Sequence, residues 1–194
     1  MKGYHYIKRG IDIILSGMAI VILSPLLLFL CIAIKLDTPG PILFKQKRVG
    51  IHRSFFQIYK FRTMRIDTPK DVPTHMLENP EQYITKVGKF LRKTSLDELP
   101  QIFNIFKGEM SIVGPRPALW NQDDLVAERE KYGANDVTPG LTGWAQINGR
   151  DELEIPDKAR LDGEYVKHLG PWMDLKCFLG TIGSVLMHLS LIHI

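Results

Sequence analysis

"IILSGMAIVILSPLLLFLCIAI", Ile13 to Ile34, is a run of 22 residues without a charge. As a helix rising about 1.5 Å per residue it extends roughly 33 Å, close to the thickness of a bilayer's hydrocarbon. The run is longer than the apolar stretch of a cleaved signal, and "CIAIKLD" at its end has no small-x-small cleavage pattern, so a membrane-resident segment is expected. Lys2, Lys8 and Arg9 precede it, and Lys35, Lys45, Lys47, Arg48 and Arg53 follow. Both flanks thus carry the charge that marks cytoplasmic segments, which a straight span violates at one end. Pro25, preceded by Ser24, sits near the middle, where it removes the donor for the carbonyl of Val21 and presses its ring against that turn. Two forms follow: a re-entrant helix-break-helix hairpin that enters and leaves through one leaflet, and a kinked spanning helix. Charge and proline together favour the re-entrant hairpin, broken at Ser24 and Pro25.

The chain has 194 residues, 45% of them hydrophobic, enough for one substantial core and too few for two large ones. We divide it into a membrane segment, 1–36, and a membrane-associated cytosolic domain, 37–194. A net charge of +4 and a pI near 9.0 point to an anionic partner. Two cysteines, Cys31 and Cys177, lie far apart with no histidine at zinc-ligand spacing, which indicates a reducing compartment and no structural metal.

"PILFKQKRVGIHRSFFQIYKFRTM", Pro41 to Met64, reads as two strands around a turn at Gly50. Its basic residues from Lys45 to Lys60, interleaved with aromatics, are compatible with nucleic acid. No nucleic-acid motif accompanies them, so none is expected as partner, and lipid phosphates of the inner leaflet suit the strip better. "RIDTPKDVPTHMLENPEQ" from Arg65 is a polar, proline-rich loop.

In "KTSLDELPQIFNIFKGEMSIVGPRP", Lys93 to Pro117, Ser95 and Glu98 have capping-box spacing. Leu99, Ile102, Phe103 and Phe106 then follow at helical intervals. Pro100 suits the first position of that helix. The bland role for Asp97 and Glu98 is to complement a helix dipole. A glycosidase pair fits poorly, because two neighbours in one helical turn do not easily flank a glycosidic bond from opposite sides. They can share one oxygen-loving cation while one attacks a phosphorus atom. Arg116, stiffened between the prolines of "GPRP", offers a bidentate guanidinium for a diphosphate, and a basic surface turn is its plain alternative.

"FKQKRVG", "YKFRTM", "TSLDELPQ", "GEMSIVGPRP" and "PGLTGWAQINGR" together resemble the signatures of the bacterial sugar transferases, the small monotopic phosphoglycosyl transferases acting on polyprenol phosphate. The resemblance covers almost the whole chain in order. It implies a helix-rich α/β (α+β) fold, with one compact catalytic domain, the N-terminal re-entrant hairpin and interfacial amphipathic helices. It also implies movement of a sugar 1-phosphate from a UDP-sugar to undecaprenyl phosphate with loss of UMP. That would be a first membrane step of glycoconjugate or exopolysaccharide synthesis, at the cytoplasmic face of the bacterial inner membrane. By the same resemblance Asp97 is the nucleophile that carries the phosphosugar, and Asp97 with Glu98 holds Mg2+. Arg92, Arg116 and Arg150 become substrate-binding cations, with Asp162 reaching the site from "RLDGEYV", and a homodimer is compatible. Two rivals stand beside this reading, a non-catalytic membrane adaptor and a glycosyltransferase that releases UDP.

In the remaining third, Trp144 is expected in the core more readily than against a uracil ring. From Pro171 a helix with one broad apolar face, including Trp172, Leu175, Phe178, Leu179 and Ile182, is expected to lie at the membrane surface or on the core. His188 and His193 are expected to be incidental.

Overall fold

The computed structural model describes residues 2–68, 79–149 and 153–191. Its helices are α1 (Lys2–Asp37), α2 (Lys86–Thr94), α3 (Gln101–Lys107), α4 (Asp123–Glu130), α5 (Trp144–Ile147), α6 (Ile155–Lys167) and α7 (Pro171–Leu191). Its strands are β1 (Leu43–Val49), β2 (Phe55–Phe61), β3 (Ser111–Val113) and β4 (Gly140–Thr142). The result is a helix-rich α/β domain behind a long apolar N-terminal helix, with two small sheets: antiparallel β1 and β2, and parallel β3 and β4.

The apolar run lies within α1, a helix of 36 residues and the one long and apolar enough to cross a membrane among the described residues. Where the sequence predicts a break, α1 continues through Ser24 and Pro25. Ser24 therefore does not cap a second helix. Its hydroxyl donates to the Val21 carbonyl at 2.8 Å, the group that Pro25 cannot serve, so the missing backbone bond is replaced within the turn.

One face of α1 is packed and the other is bare. Leu27, Leu30 and Ile34 join Phe61, Leu91 and Ile102 in a single buried cluster, so the membrane segment and the domain share a core. Val21, Ile22, Leu28, Phe29 and Leu36 stay exposed. Both ends of α1 are bonded to the same domain. Near the start, Arg9 donates to the carbonyls of Ile105 and Phe106 at 2.7 and 2.8 Å, satisfying the end of α3. At the far end the Val87 amide donates to Asp37 at 3.0 Å, and Arg62 donates to the carbonyls of Thr38 and Pro39.

The hairpin forms as the strand pattern predicts, and its tip is tighter than a simple turn at Gly50. A 3-10 turn, Ile51–Arg53, holds His52 and Arg53 at left-handed φ of 52° and 57°. A hydrogen bond between His52 and Asp136 at 2.9 Å and an ion pair from Arg53 to Glu130 tie this tip to the rest of the domain.

The capping box does not form. Ser95 has φ 56° and closes α2, its amide donating to the carbonyls of Arg92 and Leu91. The helix cap is Thr85, whose hydroxyl accepts from the Gly88 amide at 2.9 Å. Gly88 is required by proximity: a Cβ there would lie 2.1 Å from the Thr63 carbonyl oxygen.

After Ser95 the chain makes a 3-10 turn, Leu96–Glu98, and α3 begins behind Pro100. α3 buries Ile102, Asn104 and Ile105, while Phe103 and Phe106, expected on the apolar face, are exposed by 38% and 47%. Asn104 locks α3 to β2, accepting from the Tyr59 amide at 3.0 Å and donating to the Gln57 carbonyl at 2.7 Å. On α7, Met173 and Cys177 are buried, whereas Trp172, Leu175, Phe178, Leu179 and Ile182 are exposed.

Candidate active site

Three elements converge on the 3-10 turn that carries Asp97 and Glu98. The register of the hairpin places Phe44 opposite Lys60, Gln46 opposite Ile58 and Arg48 opposite Phe56, so strand alternation sets Arg48 and Lys60 on one face with the buried Ile58. Lys60 donates to Oε1 of Glu98 at 2.7 Å. Arg116 donates to the same oxygen at 2.9 Å.

Arg116 reaches that position because its turn is pinned from both sides. Gly140 donates to the Pro115 carbonyl at 2.9 Å and Gly114 donates to the Thr142 carbonyl at 2.8 Å, so "GPRP" is tied to β4 just beyond the parallel pairing of β3 with β4. From the hairpin, Arg48 donates to the Pro117 carbonyl at 3.0 Å. Arg92, in the last turn of α2, donates to the Thr63 hydroxyl at 3.0 Å and its charge is felt at Asp97.

The pKa values of the two acids are shifted in opposite directions. Burial alone would push Glu98 up, but the charges of Arg116 and Lys60 and their hydrogen bonds outweigh it and hold its pKa at about 2. Asp97 is pushed up from the ordinary carboxylate value, first by burial and then by the neighbouring Glu98, against the pull of Lys60 and Arg92. Arg48 is drawn down to about 10 by burial and by Arg116. Four cations thus surround two carboxylates, and the excess positive charge suits a ligand carrying several negative charges.

Among the described residues no group of three or more histidine, cysteine, aspartate or glutamate side chains gathers as a metal cage. Asp97 and Glu98 are two adjacent carboxylates, and no other side chain among the described residues hydrogen-bonds Asp97. That donor set fits Mg2+, which takes one or two carboxylates and draws its remaining oxygens from water and substrate phosphates.

The structure brings together Asp97, Glu98, Arg92 and Arg116. Arg150 lies outside the described residues, as do His193 and most of the loop after Arg65. Asp162 does not join the dyad: it is fully buried and pairs with Arg129 at 2.6 Å, a link between α6 and α4. Trp144 donates to Glu164 at 2.8 Å and packs beside Tyr165 and Met173, as a core residue does.

Lys60 and Arg48 were legible only as members of a basic strip, whose residues the structure divides among different partners. Lys60 and Arg48 turn to the site, Lys45 and Lys47 lie over the rings of Tyr59 and Phe55, and Arg53 pairs with Glu130. The signal was alternation: a lysine and an arginine on the face of a strand pair that also buries Ile58 need buried counter-charge.

A dyad of carboxylates ringed by cations thus stands in a helix-rich domain packed on one long apolar helix. The chain belongs to the bacterial sugar transferase family, whose model matches residues 3–188. It is 40% identical over 189 residues to the UDP-glucose:undecaprenyl-phosphate glucose-1-phosphate transferase of Escherichia coli K12, covering 91% of this chain and 39% of that protein. A protein of the same name from Caulobacter vibrioides is 41% identical, over 92% of this chain and 69% of its own length. The uncharacterized sugar transferase EpsL of Bacillus subtilis is 39% identical, over 93% of this chain and 88% of its own. The chain spans well under half the length of several curated relatives it matches.

Proposed function

We propose that this protein is a phosphoglycosyl transferase that moves a sugar 1-phosphate from a UDP-sugar to undecaprenyl phosphate and releases UMP. The observation that carries the reading is the meeting of Lys60 and Arg116 on one oxygen of Glu98, next to an Asp97 to which no side chain among the described residues donates. The names of the relatives from Escherichia coli and Caulobacter vibrioides describe the same exchange for glucose.

In the first step an Asp97 carboxylate oxygen attacks the phosphorus that bears the sugar. The bond from that phosphorus to the bridging oxygen breaks, and the oxygen leaves with UMP. In the second step a phosphate oxygen of the polyprenol attacks the same phosphorus and expels Asp97. Arg116 and Lys60 offset charge on the equatorial oxygens, and Arg92 lowers the cost of keeping Asp97 ionised. Mg2+, held by Asp97 and Glu98, would offset charge on the donor diphosphate. Because Asp97 keeps the phosphosugar between the steps, two anionic substrates use one set of cations in turn.

We further propose that α1 does not cross the bilayer but seats in the cytoplasmic leaflet with both ends on one side. Support comes from the bonds of both its ends to one domain and from the basic residues at both flanks.

Incubation with UDP-sugars and Mg2+, without acceptor, tests the chemistry. Release of up to one UMP per enzyme and a mass gain of one sugar phosphate are expected, with the adduct absent in Asp97→Asn and formed slowly in Glu98→Gln. Release of UDP would favour a glycosyltransferase, and release of no nucleotide an adaptor. UMP release only with both substrates present would make the transfer direct and remove Asp97 from the nucleophile's role.

A further inference from the structure

The strand that presents Arg116 is gripped by the first turns of the apolar helix. Asp12 of α1 is only 4% exposed, and its Oδ1 accepts from the Ile112 amide of β3 at 3.0 Å. The next carbonyl along β3, that of Val113, accepts from the Tyr165 hydroxyl at 3.2 Å. The Tyr165 hydroxyl also contacts Asp174 Oδ1 at 2.7 Å, and the second oxygen of Asp174 accepts from Tyr4 at 2.8 Å and from Lys8. Lys8 and Asp174 are 12% and 14% exposed, so this cluster is shielded from solvent. Three residues beyond Val113 stands Arg116, on a turn whose own amide and carbonyl groups are already fixed by β4.

We infer that Asp12 and the Tyr165–Asp174 pair are positioning residues that set Arg116 against Glu98 by holding β3 to the seated end of α1. The inference rests on the phosphoglycosyl transferase reading for its effect on turnover, but the mechanical coupling does not. Asp12 commits a buried carboxylate to one backbone amide, and Tyr165 shares its one hydroxyl hydrogen between the Val113 carbonyl and Asp174. Groups so costly to bury are retained where they fix one geometry. A membrane helix docked by these bonds transmits its seat directly to the turn that bears the phosphate-binding guanidinium.

Two variants keep the fold. Tyr165→Phe retains the ring in its cluster and removes only the hydroxyl. Asp12→Asn retains an oxygen that can accept from Ile112, whereas Asp12→Ala does not.

Hydrogen exchange in detergent or nanodisc tests the coupling without reference to turnover. Peptides covering 111–117 should exchange faster in Tyr165→Phe and Asp12→Ala, those covering 43–61 should not, and Asp12→Asn should match the parent chain. Unchanged exchange at 111–117, or loss of protection throughout the domain, would overturn the coupling. UMP release then tests the consequence. Tyr165→Phe should reduce it about tenfold. Combined with Arg116→Lys it should add little, because both changes act through one guanidinium. Full additivity would sink the role of Tyr165 in placing Arg116. A parent chain that releases no UMP would instead defeat the functional reading, with the exchange result still deciding the coupling.

Discussion

Lys60 shows how one side chain divides the work of two acids. It donates to Glu98 and lowers the pKa of Asp97 through space, so its removal acts on both. On the proposed chemistry Asp97 attacks as a carboxylate, so activity is expected to fall as pH drops through its pKa, which lies above the ordinary carboxylate value. Glu98, held at about 2, stays ionised across that range and does not set the acid limb. Lys60→Ala raises the pKa of Asp97 further. The acid limb of UMP release should therefore move to higher pH, and a pH profile of initial rates with an unmoved limb would separate Lys60 from Asp97. Stability follows the other acid. The depressed pKa of Glu98 contributes stability that is complete above its ordinary value of 4.5 and is lost as pH falls toward about 2.

At the scale of the element, α1, α3, α7 and both hairpin strands could be read from the apolar pattern, while α2, α4 and α5 could not. Ser95 and Glu98 satisfy a capping pattern, yet Glu98 faces two cations and Ser95 turns left-handed to end α2. A tertiary charge pair outbids a local cap. Ser24 and Pro25 predict a break that a single hydroxyl bond bridges. Phe103 and Phe106 have helical spacing, but spacing does not say whether an apolar face meets protein or lipid. The contact of α2 with the strand end at Thr63 was visible only as a glycine. Gly88→Ala places a methyl group 2.1 Å from a carbonyl oxygen and must push α2 away. A loss of about 1–3 kcal/mol is expected, or roughly 5–10 °C in the Tm in detergent. Gly10→Ala, inside α1 with nothing within 4 Å of the new methyl, should not lower the Tm and serves as the control.

For the whole molecule, the motifs told more than the composition did. Asp97, Glu98, Arg92 and Arg116 were all named from order along the chain, and they meet in space. Asp162 was not legible, because nothing in "RLDGEYV" says that its carboxylate is spent on Arg129, far along the chain on another helix. Among the described side chains, exposed apolar groups on α1, Phe90 of α2, Phe103 and Phe106 of α3 and five residues of α7 are too many for a soluble surface. Attachment through such groups is insensitive to salt, unlike attachment through basic residues alone. The protein should stay with the membrane fraction through a wash in about 1 M salt, where the Debye length falls to roughly 3 Å, and should leave it in detergent. Recovery in the salt supernatant would mean that the apolar surfaces are covered by protein.

Asn104 bears on how such a chain can diversify. Beside its bond to the Glu109 carboxylate, its amide meets Gln57 and Tyr59 through their main-chain atoms, so this tie between α3 and the hairpin does not depend on which side chains stand at those two positions. The outer face of the hairpin is in effect an interchangeable cassette. Substitutions there can alter what the surface meets while Lys60 keeps its place beside Glu98, and a change at position 104 itself would disturb every version alike.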